Sequence, residues 1–228
     1  MSARSRFVRT AALGAVTVAV LAACSDDAGR TAPSAPDGRT ATAPVKQVAA
    51  AECARTPERG KIVRTGYGLS YESGTMTVEV KAADGSARCL QFSKSGPADP
   101  QVPPDTLLFT FAADGGQGAQ LEFLSVDLSG GVLPPIGDGV LHRVRPLDSP
   151  INALVGVAVD GKYFRATNCA LTLSTVNEEG ASGRFSCPQA FSQTANPFAP
   201  DDDVDHDAPD AEPTAQTVTL SGWFDVEP

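Results

Sequence analysis

The chain has 228 residues, 42% of them hydrophobic, and carries a formal net charge of −9 at pH 7. A surface this acidic repels phosphates, which disfavours nucleic acid and anionic lipid headgroups as partners. Its five cysteines are an odd number, so one is left over if the others pair.

Residues 1–23 contain Arg4, Arg6 and Arg9 and no acid, followed by an apolar stretch from Ala11 to Ala23. This is the pattern of a secretory signal peptide. Thirteen residues rise only about 20 Å as a helix, short of a ~30 Å hydrocarbon core, so a mature transmembrane span is not expected. The stretch closes with Leu21-Ala22-Ala23-Cys24. That tetrapeptide resembles the bacterial lipobox, the signal-peptidase-II type of lipoprotein signal. The resemblance implies that the Cys24 thiol receives a diacylglycerol by thioether linkage. It further implies cleavage before Cys24 and acylation of the new amino terminus, for instance by palmitate. Each buried methylene contributes about 0.8 kcal/mol, and two or more chains anchor stably where one does not. The expected location is the extracytoplasmic face of the cell membrane, held by lipid. Without the three signal arginines the chain has 15 basic against 27 acidic residues, a net charge near −12. Attachment through lipid rather than through a basic patch fits that balance.

From Cys24 to Ala50 the sequence is rich in Ala, Thr, Pro, Gly and Ser and almost free of large apolar groups. Such a composition cannot bury enough surface to offset chain entropy. Residues 24–50 are therefore read as a lipidated, disordered tether, whose ends as a flexible coil lie roughly 28 Å apart.

Residues 51–228 read as one domain. Met76, Val78 and Val80 alternate with Thr77, Glu79 and Lys81, and Asp84-Gly85-Ser86 suits a three-residue loop that sets Val80 opposite Leu90 and Val78 opposite Phe92. Two apolar strands flank the glycine-rich turn of LLFTFAADGGQGAQLEFLSV, and Asp160-Gly161 marks a short hairpin in ALVGVAVDGKYFRAT. CALTLSTV and ASGRFSC follow, joined by a turn. In QTVTLSGWFDV, Val218, Leu220 and Phe224 are predicted core positions and Gly222 a bulge. About nine or ten strands and no amphipathic helix predict an all-β fold, an antiparallel β-sandwich or flattened barrel, with at most one helical turn near VAAAECA. Trp223 and the phenylalanines are assigned to its core.

With Cys24 lipidated, Cys53, Cys89, Cys169 and Cys187 form an even set in an exported protein, where disulfides persist. Four cysteines allow three pairings. Spacing favours Cys169 with Cys187, because a hairpin that sets Leu171 opposite Phe185 brings them face to face. That would leave Cys53 with Cys89. In its lipobox, its Thr/Ala/Pro tether and its disulfide-bearing all-β body, the chain is similar to the actinobacterial lipoprotein-antigen group. Arg outnumbers Lys 13 to 5, as GC-rich genomes tend to encode. No residue role is carried over from that group.

The acidic loop 196–213 holds one metal pattern. Asp201, Asp203, Asp205 and Glu212 occupy positions 1, 3, 5 and 12 of a calcium loop, but His206 stands where the turn glycine belongs. A solvated loop is the simpler reading, with weak calcium binding as the alternative and no other cofactor expected. His142 lies beside Arg143 and Arg145 as a rim residue, and no nucleophile elbow or S-x-x-K pair is present. Glu72, Glu79 and Glu122 fall on ordinary strand or turn patterns, and no catalytic residue is assigned. The function expected is non-catalytic binding or surface presentation, with an unidentified envelope or extracellular partner. A carrier of lipid or a small apolar ligand is the first alternative and a cell-envelope hydrolase the second.

Overall fold

Alternation of apolar and polar residues puts every second side chain on one face of a strand, and a sheet with one apolar face must bury it. Here the sheet does so by closing on itself. The computed structural model describes residues 44–103, 105–130, 147, 149–200 and 216–228. Cys24, His142 and the acidic residues Asp201, Asp203, Asp205 and Glu212 lie outside the described residues.

The elements in chain order are β1 (Lys46–Val48), α1 (Ala50–Cys53), β2 (Ser73–Ala82), β3 (Ala87–Ser95), β4 (Gln101–Val102), β5 (Thr106–Ala113) and β6 (Gln117–Leu124). There follow α2 (Ser125–Leu128), β7 (Ile151–Val159), β8 (Lys162–Asn177), β9 (Gly180–Gln193) and β10 (Thr217–Glu227). Going round the sheet, β2, β3, β5, β6, β7, β8, β9 and β10 each pair antiparallel with the next, and β10 returns to β2. The result is a closed up-and-down barrel of eight strands, so of the two expected architectures the barrel is the one formed. The closing seam is short. Only Ser93–Ser95 of β3 meets Thr110–Ala112 of β5, while β1 pairs with the free stretch of β3 and β4 with that of β5.

The interior is filled rather than hollow, as eight strands usually require. Phe109 sits at the centre, its ring 6.0 Å from those of Tyr71 and Phe123 and 5.4 Å from that of Phe224. Two glycines make room for large rings on the neighbouring strand. Gly183 of β9 lies opposite Phe224, and a Cβ there would stand 3.1 Å from that ring. Gly222 of β10 lies opposite Phe185, where a Cβ would stand 3.0 Å from the ring and collide with the Thr77 carbonyl. Gly222 is thus a packing glycine, not the expected bulge, and the register shift of this strand falls between Val218 and Leu220.

Several predicted turns form as read. Asp160 and Gly161 adopt φ of 52° and 72° between Val159 and Lys162, a two-residue hairpin loop. Leu171 faces Phe185, and Cys169 is bonded to Cys187 inside the barrel. Cys53 is bonded to Cys89 on the outer wall. The β2–β3 register departs from expectation. Val80 pairs with Arg88 and Val78 with Leu90, because Ala82 closes the loop by donating its N–H to the Ser86 carbonyl and accepting from the Gly85 N–H. A shift of two residues keeps the apolar side chains inward, and with them Arg88, which shares the face of Leu90 and Phe92 and now lies opposite Val80 at the barrel's end.

The N-terminal segment also departs from expectation, because residues 46–48 belong to the barrel wall rather than to a tether that runs to Ala50. Beyond α1, the chain crosses the outside of the barrel as a strap. Trp223, which faces outward, is buried beneath it. Its Nε1 donates to the Glu52 carbonyl at 2.6 Å and the Arg55 guanidinium lies 4.9 Å above its ring. The assignment of Trp223 to the interior is therefore corrected, and Phe191 is exposed. Further on, Gly60 and Val63 bond to the end of β8, and Leu69 and Tyr71 then turn into the barrel. The Tyr71 hydroxyl donates to the Asn177 carbonyl at 2.7 Å, and burial pushes this phenol far above its ordinary value. With the fully buried Leu128 of α2, these residues plug one end of the barrel. Among the described residues no helix is long and apolar enough to cross a membrane.

Candidate functional site

Among the described residues nothing plugs the other end, the barrel's mouth, which is formed by the β2–β3 turn, the β7–β8 turn and the start of β10. The recess there has a volume of about 650 Å³. Its floor is Val80, Val159, Phe164 and Val218. These side chains retain 8%, 3%, 6% and 8% of their surface, whereas Met76, Phe109 and Leu121 deeper in the barrel retain none. The floor is thus the outermost layer of the buried core, and the little surface it keeps lies at this recess.

The rim is polar. Arg88 points inward from β3, and its guanidinium donates to Asp160 Oδ2 at 2.5 Å. Round the ring, β3 and the β7–β8 turn are three strands apart in one direction and four in the other, so this ion pair bridges the mouth. Both partners are substantially exposed, which limits such a pair to about 0–1 kcal/mol. Lys162 Nζ donates to Gln216 Oε1 at 2.9 Å. Asp84 is satisfied within its own turn: the Ser86 hydroxyl, then the Ser86 N–H, hold its carboxyl below the usual range. Of the two cations on the rim among the described residues, Arg88 shares the inward row of Leu90 and Phe92 by strand alternation alone, whereas Lys162 has no pattern to mark it.

A second, larger recess of about 830 Å³ lies outside the plug, between the strap and the β8–β9 turn. Glu58, Glu178, Glu179, Asp225 and Glu227 line it together with Arg55 and Lys61. Partial burial is the main cause that raises the Asp225 carboxyl above its ordinary 3.8, reinforced by Glu227 and Glu58 and opposed by Arg55. A raised native pKa means that folding favours the protonated form, so this contribution is complete below 3.8 and is lost as pH rises through the native value. Asp225→Asn is accordingly expected to raise the melting temperature at neutral pH and to lose that advantage on acidification. Thermal melts of both proteins at the two pH values test this, and an unchanged or lower melting temperature at neutral pH refutes it.

On the opposite wall, Phe198 packs on Gly118 and Tyr163 on Gly156, with the two rings 6.4 Å apart. Gln120 donates to the Tyr163 hydroxyl at 2.8 Å, and burial raises this phenol's pKa. The contact ties the described start of the acidic loop to β6–β8. No group of three or more His, Cys, Asp or Glu side chains suited to a metal occurs among the described residues. No protein-family model, curated protein or solved structure matches the chain.

Of the sequence-predicted sites, the four cysteines are the ones the described structure brings together, as two separate disulfides. Glu79 and Glu122 face outward on their strands, and Glu72 donates its N–H to the Glu227 carbonyl.

Proposed function

We propose that this protein is a lipid-anchored, extracytoplasmic binding module that recognises its partner at the open mouth of the barrel and performs no chemistry on it. The observation that carries the binding reading is a barrel plugged at one end, packed with aromatic side chains through its middle, and ending at the other in an apolar floor under a charged rim. Concave sites with an apolar lining and a few polar groups are where proteins take ligands, and barrel mouths are a recurrent place for them. The rim groups described are engaged with one another, which suits recognition more than acid–base work.

A packed interior leaves no room for a lipid's acyl chains to be swallowed, so a carrier of long-chain lipid is the weaker alternative. The anchor reading rests on Leu21 to Cys24. Its test is Cys24→Ser. The parent protein is expected in the membrane fraction and to incorporate labelled palmitate, and the variant to lose both. Unchanged membrane association and labelling in the variant would refute the anchor.

A further inference from the structure

We infer that the mouth takes a small amphipathic anion, with its apolar part on the Val80, Val159, Phe164 and Val218 floor and its anionic group on Arg88. This assignment rests on the mouth being the binding surface and names the class of ligand it accepts. The floor requires an apolar body, because polar matter placed there would lose hydrogen bonds to water without replacement. The rim then decides the sign of the head. Asp84 is occupied by Ser86, whereas Arg88 is held by one exposed carboxylate in an ion pair that contributes little. A guanidinium presents five donors and accepts a carboxylate by two of them at once, so an incoming carboxylate replaces Asp160 without leaving the cation unpaired. The released Asp160 sits on an exposed turn and is solvated. A cationic head meets the opposite balance, since it must compete with Arg88 for Asp160 and is repelled by the Arg88 charge. Lys162 adds a second positive charge on the same side as the turn. The recess is large enough for a medium-length chain and falls within the roughly 300–1,000 Å³ of small-molecule sites.

The test uses the full chain carrying Cys24→Ser, so that neither lipid nor detergent competes. Decanoate, decanol and decyltrimethylammonium are titrated separately, below their aggregation limits, while the methyl resonances of Val80, Val159 and Val218 are followed. Decanoate is expected to shift these methyls and to bind about tenfold more tightly than either other probe. Arg88→Gln should abolish that preference while leaving decanol binding unchanged, and Arg88→Lys should restore part of it. Equal binding of all three probes with the same methyl shifts would overturn the anionic ligand and leave the mouth as the binding surface. No shift with any probe would overturn both. A decanoate preference that survives in Arg88→Gln would overturn the role of Arg88.

Discussion

Replacing Phe109 with alanine is expected to remove about 3–5 kcal/mol of folding stability, the range for deleting a fully buried aromatic ring. Phe109 has no exposed surface and contacts three other rings, those of Tyr71, Phe123 and Phe224. These come from the plug, from the neighbouring strand β6 and from β10, so the cavity adjoins separate parts of the barrel that cannot collapse together to fill it. Domains of this kind hold about 5–15 kcal/mol in all, so the variant stands near the limit of folding. Urea unfolding measures the effect as a lower midpoint with an unchanged slope. A loss below about 1 kcal/mol would contradict a packed centre.

Removing either disulfide by a paired Cys→Ala replacement is expected to cost about 3 kcal/mol, because both close loops of moderate length, with sequence separations of 36 and 18. The structural consequences should differ. Cys53–Cys89 joins α1 and the strap to the outer wall, and Trp223 lies beneath that strap. Cys169–Cys187 lies in the interior between two long strands that are paired on both sides of it. Without the outer bridge, the strap opens locally at a lower free energy than the barrel unfolds, and Trp223 meets water. The Cys53→Ala, Cys89→Ala protein should therefore show red-shifted tryptophan emission before denaturant unfolds it. The Cys169→Ala, Cys187→Ala protein should lose stability with native emission retained. Identical emission from the two proteins would contradict the strap's role as a cover for Trp223.

The strand pairs that the sequence revealed are those closed by short turns. Asp160-Gly161 declares its loop through two residues that tolerate positive φ, and the Cys169–Cys187 pairing followed from counting residues across one hairpin. The β2–β3 hairpin failed in register because Ala83-Asp84-Gly85 and Asp84-Gly85-Ser86 are equally plausible three-residue loops on turn chemistry alone. The ambiguity leaves the face of Arg88 unchanged, since alternation from Leu90 fixes it as inward, and alters only the residue opposite, Ala82 or Val80. Gly222 was misread for a related reason. A glycine in a strand signals either a bulge or a close approach, and the ring that approaches it comes from β9, 37 residues earlier in the chain.

The stretch between α1 and β2 was illegible, since it has neither helical nor strand periodicity. Its residues are ordered by what they touch: Gly60 and Val63 by β8, Tyr71 by the Asn177 carbonyl, and the chain ahead of them by Trp223. Local patterning by itself determined an all-β body with its inward faces, its tight hairpins and one disulfide, because each depends on residues close in sequence. Whether the sheet closes, which end is plugged and which cation guards the open end were decided by tertiary structure alone. Those outcomes depend on contacts between segments far apart in the chain, such as Glu52 with Trp223, 171 residues apart, and Arg88 with Asp160, 72 residues apart.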